Sequence, residues 1–196
     1  KILLIANGAN SKFTREIAGI KKENKHFAGA VRAYYSNVTG FHDHGFIELH
    51  FLKEYIPGYF WIFPLPGNRA NVGLGLRTDH VSKRNLNLRK EMEKIVNNYP
   101  GIKERFKDAV PEGVIKGHPL PLGSKKYTRS GDHFMLLGDA EHLVDTITGE
   151  GVGNAMYSGW IASEQAARCF ELDRFDRKEM ENFDKRIQRV MGVELK

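Results

Sequence analysis

One stretch, His133 to Ala167, limits what this chain can become. A short apolar run, Phe134 to Leu137, reads as a buried strand that stops at Gly138-Asp139, so a carboxylate emerges at the strand's C-terminal end. A polar loop comes next, and Gly149-Glu150-Gly151-Val152-Gly153 opens a helix. Gly151, Ala155, Gly159, Ala162 and Ala166 recur at helical spacing, which gives that helix a nearly bare face suited to close packing on a sheet. The glycine-rich start leaves its first N–H groups open to a close ligand. An acidic acceptor at a strand tip, facing a helix N-terminus, is a place to hold a cofactor.

The rest of the chain supplies strands around this unit. Ile2 to Ile5 reads as a buried strand running into Asn7-Gly8, a turn signal, with Ser11 placed to cap the next segment. Phe27 to Tyr35 carries Phe27, Val31 and Tyr35 on alternate positions, and Gly45 to Leu52 sets Ile47, Leu49 and Phe51 against Glu48 and His50. Tyr59 to Phe63 and Ala70 to Leu76 come after, separated by Pro66-Gly67-Asn68, so the middle of the chain is expected to be an antiparallel meander. Asn85 to Tyr99 reads as an amphipathic helix built on Leu88, Met92, Ile95 and Val96, with a short helix expected over Ile102 to Phe106. Gly113 to Pro121 is strand-like, and Asp176 to Met191 is a second amphipathic helix lined by Met180, Phe183, Ile187 and Val190.

Composition narrows the function. The 196 residues, 41% hydrophobic, suffice for a substantial core, and no apolar run reaches bilayer length. Mean hydropathy is −0.45. The single cysteine, Cys169, excludes an internal disulfide and a cysteine-only metal cluster, and its place late on the Gly151 helix reads as a buried thiol. No HExxH or paired His/Cys spacing points to a metal, and no GxSxG points to acyl transfer. His50, His118, His133 and His142 are scattered, and a structural hydrogen bond is the expected role of His142. The net charge of +6 includes a basic run, Lys21, Lys22, Lys25 and His26. That run is either a solvated turn or a contact for anionic phosphate or a membrane surface. Without aromatic residues interleaved among the basic ones, nucleic acid is set aside.

Gly138-Asp139-Ala140, Thr148-Gly149-Glu150-Gly151 and Asn154-Ala155-Met156 resemble the second flavin motif of FAD-dependent reductases and hydroxylases of the para-hydroxybenzoate hydroxylase type. Within that group, Pro57-Gly58-Tyr59-Phe60-Trp61-Ile62-Phe63-Pro64, followed by Asn71-Val72-Gly73-Leu74-Gly75, is similar to the geranylgeranyl reductase family. Gly8-Ala9-Asn10-Ser11 matches an earlier motif of the group, with Arg15 near its expected place. Asn7 departs from the group's aspartate and removes its charge. The resemblance covers most of the chain.

It implies an α+β fold: a mostly antiparallel substrate-domain sheet with covering helices, plus the strands and long helix of an FAD-binding Rossmann-like layer. Residues 1–11 and 131–168 would belong to the FAD-binding domain, 12–130 to a substrate-binding sheet domain, and 169–196 to a C-terminal helical segment. Gly8, Ser11, Gly138, Asp139, Gly149, Glu150, Gly151, Val152 and Asn154 would face FAD. Asp139 would accept hydrogen bonds from ribityl or ribose hydroxyls. The amides of Gly151 and Val152 would stabilise negative charge near the flavin N1–C2=O edge, with Glu150 favouring the helix N-terminal end. Tyr59, Trp61 and Phe63 share one strand face opposite Gly73 and Gly75, which leave either a ligand channel or a glycine surface packed by aromatics. By resemblance this face would carry an isoprenoid chain.

The implied activity is FAD-dependent reduction of isoprenoid double bonds of a lipid. No catalytic side chain is assigned, because the flavin carries the reducing equivalents. NAD(P)H or a ferredoxin-like protein would be the electron donor, with Asn7 weakening the case for a directly bound nicotinamide. The location implied is cytoplasmic or peripheral to the membrane. A flavin-dependent aromatic hydroxylase or halogenase is the alternative enzyme. Halogenases carry a related Trp-x-Trp-x-Ile-Pro pattern, but Tyr59, Trp61, Phe63 and Pro64 fit the reductase form better. The chain also lacks the GxGxxG unit that opens such enzymes, so it is expected to be an incomplete and inactive portion of one, or a non-catalytic lipid-binding remnant.

Overall fold

The computed structural model describes residues 1–193 and 195. These form two compact units, residues 1–27 with 120–196, and residues 28–119.

The first unit is built around a three-stranded sheet. β1 (Leu3–Ile5) pairs in parallel with β8 (Phe134–Leu136), and β8 pairs antiparallel with β7 (Ser130–Gly131). The Phe134 strand forms as expected. The Ile2 strand forms too, but it is not buried: Leu3 and Leu4 are 56% and 47% exposed. β1 is a three-residue edge of its sheet, so among the described residues one flank pairs with no strand.

After β1 comes the five-residue helix α1 (Lys12–Glu16), whose first turn is closed by Ser11 Oγ accepting the Thr14 N–H at 3.0 Å. The long helix α4 (Val152–Leu172) starts at the Gly151 N-cap and ends with Asp173 in the left-handed region. Its buried side is Ser158, Ile161, Ala162, Gln165 and Cys169. The small-residue stripe is therefore not the packed face throughout, since a side chain at Gly159 would meet open space. Its close contact is made at one end, by Ala155.

Helix α5 (Arg177–Met191) follows, capped by Asp176 accepting the Glu179 N–H. Met180, Phe183, Ile187 and Met191 pack with Met135, Leu137, Ile161, Ala162 and Cys169. Val190, expected on the apolar side, is 37% exposed, and Met191 takes the inner position.

The second unit holds a five-stranded sheet in the order β3-β4-β5-β2-β6. Its strands are β2 (Phe27–Ser36), β3 (Glu48–His50), β4 (Gly58–Leu65), β5 (Arg69–Arg77) and β6 (Val110–Pro121). β4 and β5 meet through Pro66-Gly67-Asn68, where Gly67 and Asn68 both take positive φ, a conformation these two residue types reach at low cost. A short helix α2 (Thr78–Lys83) precedes α3 (Leu88–Asn98), which begins at an Asn87 cap and buries Met92, Ile95 and Val96. Those three residues pack against Phe60, Ile62, Val72, Leu74 and Leu76 of β4 and β5. The helix expected over Ile102 to Phe106 is a run of turns instead. Ile102 and Phe106 still reach the core, because the turns hold them inward.

The observed units divide the chain elsewhere than the boundaries read from sequence. Residues 12–27 stay with the first unit because Thr14 Oγ1 donates to Ala140 O at 2.8 Å. Residues 120–130 join it because Pro121 to Gly123 bonds to Val144 in both directions. The segment 169–196 is part of the same core rather than a separate piece.

Truncating Phe183, fully buried between α4 and the sheet, leaves a cavity and is expected to cost about 3–5 kcal/mol. Val190→Ala on the same helix is expected to cost less than about 1 kcal/mol. Denaturant unfolding followed on both variants tests the difference.

Candidate functional site

The glycine at the tip of β8 determines how closely the chain approaches α4. Gly138 sits at φ +57°, and its N–H donates to Ser158 Oγ at 3.0 Å. A Cβ there would come within 2.9 Å of the Ala155 side chain, so the turn touches the helix almost backbone to backbone. A short 3-10 turn over Gly138–Glu141 follows and carries Asp139, which is half-buried. Asp139 Oδ1 would lie 3.4 Å from a Cβ on Gly151, so its carboxylate lies beside the start of α4.

The loop between them is held by Asp145. One of its oxygens accepts the N–H groups of Ile147 and Thr148 at 3.0 and 2.6 Å and the Thr148 hydroxyl at 2.8 Å. Burial would raise this carboxyl's pKa, but those hydrogen bonds hold it below the ordinary value. Asp145 N–H donates to Glu150 O, and Gly149, at φ +70°, donates to Asp145 O. Glu150 Oε1 accepts the Gly153 N–H at 2.7 Å, which favours the helix start as its sequence position suggested. Gly151 itself contributes no side-chain cap, and of the first amides of α4 Glu150 takes that of Gly153. The Asn154 side-chain amide is committed to Leu143 O at 2.8 Å, which leaves it a bracing role.

Gly8 and Ser11 arrive at the same place. β1 runs beside β8, the Ser11 N–H bonds Gly8 O, and Thr14 ties α1 to Ala140 directly after Asp139. All nine residues read as cofactor-facing thus lie in one unit, around the strand tips and the α4 start.

Behind this corner is a buried polar cluster that sequence reading missed. Arg129 Nε approaches Glu141 Oε1 at 3.0 Å without hydrogen-bond geometry, and both residues are buried. Burial pushes the Glu141 carboxyl well above its ordinary range, against the pull of Arg129. Asp184 accepts the Arg129 N–H and the Ser130 hydroxyl, both at 2.6 Å. His142 sits in the left-handed region between the edges of Phe27 and Tyr127, with ring centroids at 5.0 and 4.9 Å. Its Nδ1 has no partner among the described residues, so the structural hydrogen bond expected of it is not found there. Burial, aided by Arg129 and His26, lowers its pKa to about 4. Ala-Glu-His after a strand reads as a surface loop; Arg129 and Tyr127, a dozen or so residues earlier in the chain, and Phe27, far earlier, pack against it.

The second unit carries the aromatic face. Across the sheet, Trp61 lies opposite Leu49 on one side and Gly73 on the other, and Tyr59 lies opposite Gly75. Tyr59, Trp61 and Phe63 are each partly exposed, whereas Phe60 and Ile62 between them are fully buried. The indole of Trp61 covers Gly73, where a Cβ would collide with the ring and with Val31 O. Of the two arrangements open from sequence, Gly73 and Gly75 form a glycine surface packed by an aromatic. Trp61 Nε1 donates to Asn71 Oδ1 at 3.1 Å, which fixes the ring's direction. Ile47, Leu49 and Phe51 extend the same face and are its most exposed members.

Residues 27–111 match the family model of the geranylgeranyl reductase catalytic domain. The chain is 34% identical, over 95% of its own length, to a digeranylgeranylglycerophospholipid reductase of Methanocaldococcus jannaschii. A second such reductase, from Methanopyrus kandleri, is 30% identical over the whole chain. The chain belongs to the geranylgeranyl reductase family. It spans about half the length of these curated relatives, 46% and 49%. A solved geranylgeranyl bacteriochlorophyll reductase-like protein of Thermoplasma acidophilum has the same fold, with a TM-score of 0.85 at 24% identity over 99% of this chain and 47% of that one. A flavin-dependent brominase also shares it, with a TM-score of 0.74 at 24% identity over 96% of this chain and 48% of its own. Among the described residues no group of three or more His, Cys, Asp or Glu could hold a metal, and no helix is long and apolar enough to cross a membrane.

Two outcomes test this geometry. Gly73→Ala forces its Cβ against backbone and indole alike, so it is expected to destabilise this family member by about 1–3 kcal/mol and shift the Trp61 emission. Gly75→Ala meets only ordinary contacts near 3.7 Å and is expected to be tolerated. His142, with its folded pKa depressed, binds its proton more readily in the unfolded chain. It therefore lends stability above about pH 6.5 that is lost as pH falls toward 4, up to roughly 3 kcal/mol. His142→Asn, which keeps a residue tolerant of positive φ, should flatten that part of the stability–pH curve.

Proposed function

We propose that this chain serves an FAD-dependent reductase that saturates isoprenoid double bonds of a lipid. The observation that carries the reading is the aromatic face of β4: three partly exposed rings over a glycine surface, on a strand whose other side buries Phe60 and Ile62 fully. Ordinary core packing would not leave Tyr59, Trp61 and Phe63 accessible, whereas a long hydrocarbon needs such a platform. The names of the matched reductases point to the same class of substrate.

The corner around Asp139 suits FAD. A Cβ at Gly138 or Gly151 would crowd it, and the polar groups it offers are a carboxylate and helix-start amides. Asp139 would accept hydrogen bonds from sugar-chain hydroxyls. The Gly151 and Val152 amides would face the part of the flavin that gains negative charge on reduction, where the partial positive charge of the helix start is favourable. Glu150 would keep its carboxylate on Gly153 and so fix the loop. The bound cofactor supplies the hydride. Thr14, Ser11 and Asn154 hold the corner in shape through α1, Ala140 and Leu143.

The electron donor proposed is NAD(P)H or a ferredoxin-like protein. Contact with the membrane that holds the lipid is proposed to be peripheral, with Lys21, Lys22 and Lys25 toward the phosphates. A halogenating or hydroxylating enzyme is the second reading, supported by the fold shared with the brominase.

The experiment expresses the natural reading frame that contains this chain, supplies FAD, chemically reduced, with a geranylgeranylated lipid, and follows the product by mass spectrometry. Two hydrogens gained per double bond is the expected result. Halogenation or hydroxylation of an aromatic substrate with oxygen would favour the second reading, and lipid binding with no turnover would favour a binding role alone. Asp139→Ala is expected to weaken FAD binding by about tenfold or more, since it removes a charge-assisted acceptor, while Asn154→Ala lowers stability more than affinity.

A further inference from the structure

The aromatic face of the sheet changes in character from β3 across to β2. Antiparallel register places Leu49, Trp61, Gly73 and Arg32 in one row across β3, β4, β5 and β2, with their side-chain positions on the same side. The neighbouring row runs Phe63, Asn71, Tyr34. The β3–β4 side is therefore apolar, the β5 positions are bare or amide-bearing, and β2, which lies between β5 and β6, carries a guanidinium. At the usual strand spacing the row is about 14 Å long.

Arg32 differs from the other strand arginines of this sheet. Arg69 is held bidentately by Glu112, and Arg77 by Asp79. Arg32 is half-buried and stacks on the Tyr34 ring at 4.6 Å, with no carboxylate partner among the described residues. Stacking occupies one face of a guanidinium and does not use its edge N–H groups, which are the donors that grip an oxyanion. A partly desolvated, uncompensated cation beside an apolar platform is complementary to a molecule that is anionic at one end and hydrocarbon at the other.

We propose that Arg32 anchors the anionic head group, a phosphate-type oxyanion, of an amphiphile whose hydrocarbon lies over Tyr59, Trp61 and Phe63. The proposal rests on the reading of that face as the substrate surface. It makes Arg32 a specificity determinant: it selects head-group charge and fixes which end of the chain points toward β3.

The test uses the full chain with Trp160→Phe, so that Trp61 is its only tryptophan. Geranylgeraniol, geranylgeranyl monophosphate and inorganic phosphate are titrated while Trp61 emission is followed. The monophosphate is expected to bind about tenfold tighter than the alcohol, with the preference shrinking as salt rises. Arg32→Gln should erase the preference and leave alcohol affinity within about twofold, and Arg32→Lys should keep part of it. Inorganic phosphate should compete weakly with the monophosphate and not with the alcohol. Competition at equal strength would mean a free-anion site instead. Alcohol binding with no head-group preference, or a preference that survives in Arg32→Gln, overturns the inference and leaves the substrate-face reading standing. If neither lipid perturbs Trp61, both fall.

Discussion

A pleated strand presents alternate residues to opposite sides, and β4 uses the two sides for different purposes. Phe60 and Ile62 close the core against α3, while Tyr59, Trp61 and Phe63 stay accessible over a surface without side chains. Each arrangement needs the other. Without the buried pair the sheet would have no reason to hold its register. Without Gly73 the indole could not lie flat, because a Cβ would have to share space with it and with the Val31 carbonyl. Asn71 completes the arrangement by taking the indole N–H. One strand's alternation thus connects the core and the accessible aromatic face in the unit of residues 28–119.

The same economy of side chains shapes the other unit. Gly138 allows β8 to end against Ala155, and Gly151 allows Asp139 to sit beside the helix start. A side chain at either position would separate the Asp139 turn from the start of α4. Polar satisfaction there comes from short local bonds, Asp145 to Thr148 and Glu150 to Gly153, so the loop keeps its shape without burying a charge.

Much of this was legible in the residues, for physical reasons. Caps such as Ser11 and Asp176 act over three residues, and strand alternation acts over two, so sequence spacing reveals both. Burial is not local. The alternation of Ile47, Leu49 and Phe51 reads as a strand over Gly45 to Leu52, yet only Glu48–His50 forms one and its Leu49 side is exposed, while Glu48 binds Arg105. Leu3 and Leu4 look like core and lie on an edge. Glu141 and His142 look like surface and are buried by residues over a dozen positions earlier in the chain. Thr14 carries no signal at all, since its partner is the Ala140 carbonyl.

The buried polar cluster is the costliest part of the first unit, and its placement explains why it is retained in the fold. Arg129, Glu141, Asp184 and Ser130 tie β7 and the turn after β8 to α5. A wholly apolar contact could supply comparable stability, but it would tolerate sliding of α5 along the sheet. Directional bonds to Asp184 and the Met180 carbonyl do not. Since Glu141 is two residues from Asp139, any slip there would move the carboxylate relative to the α4 amides. Registry of a distant helix therefore becomes registry of the corner proposed to hold the cofactor.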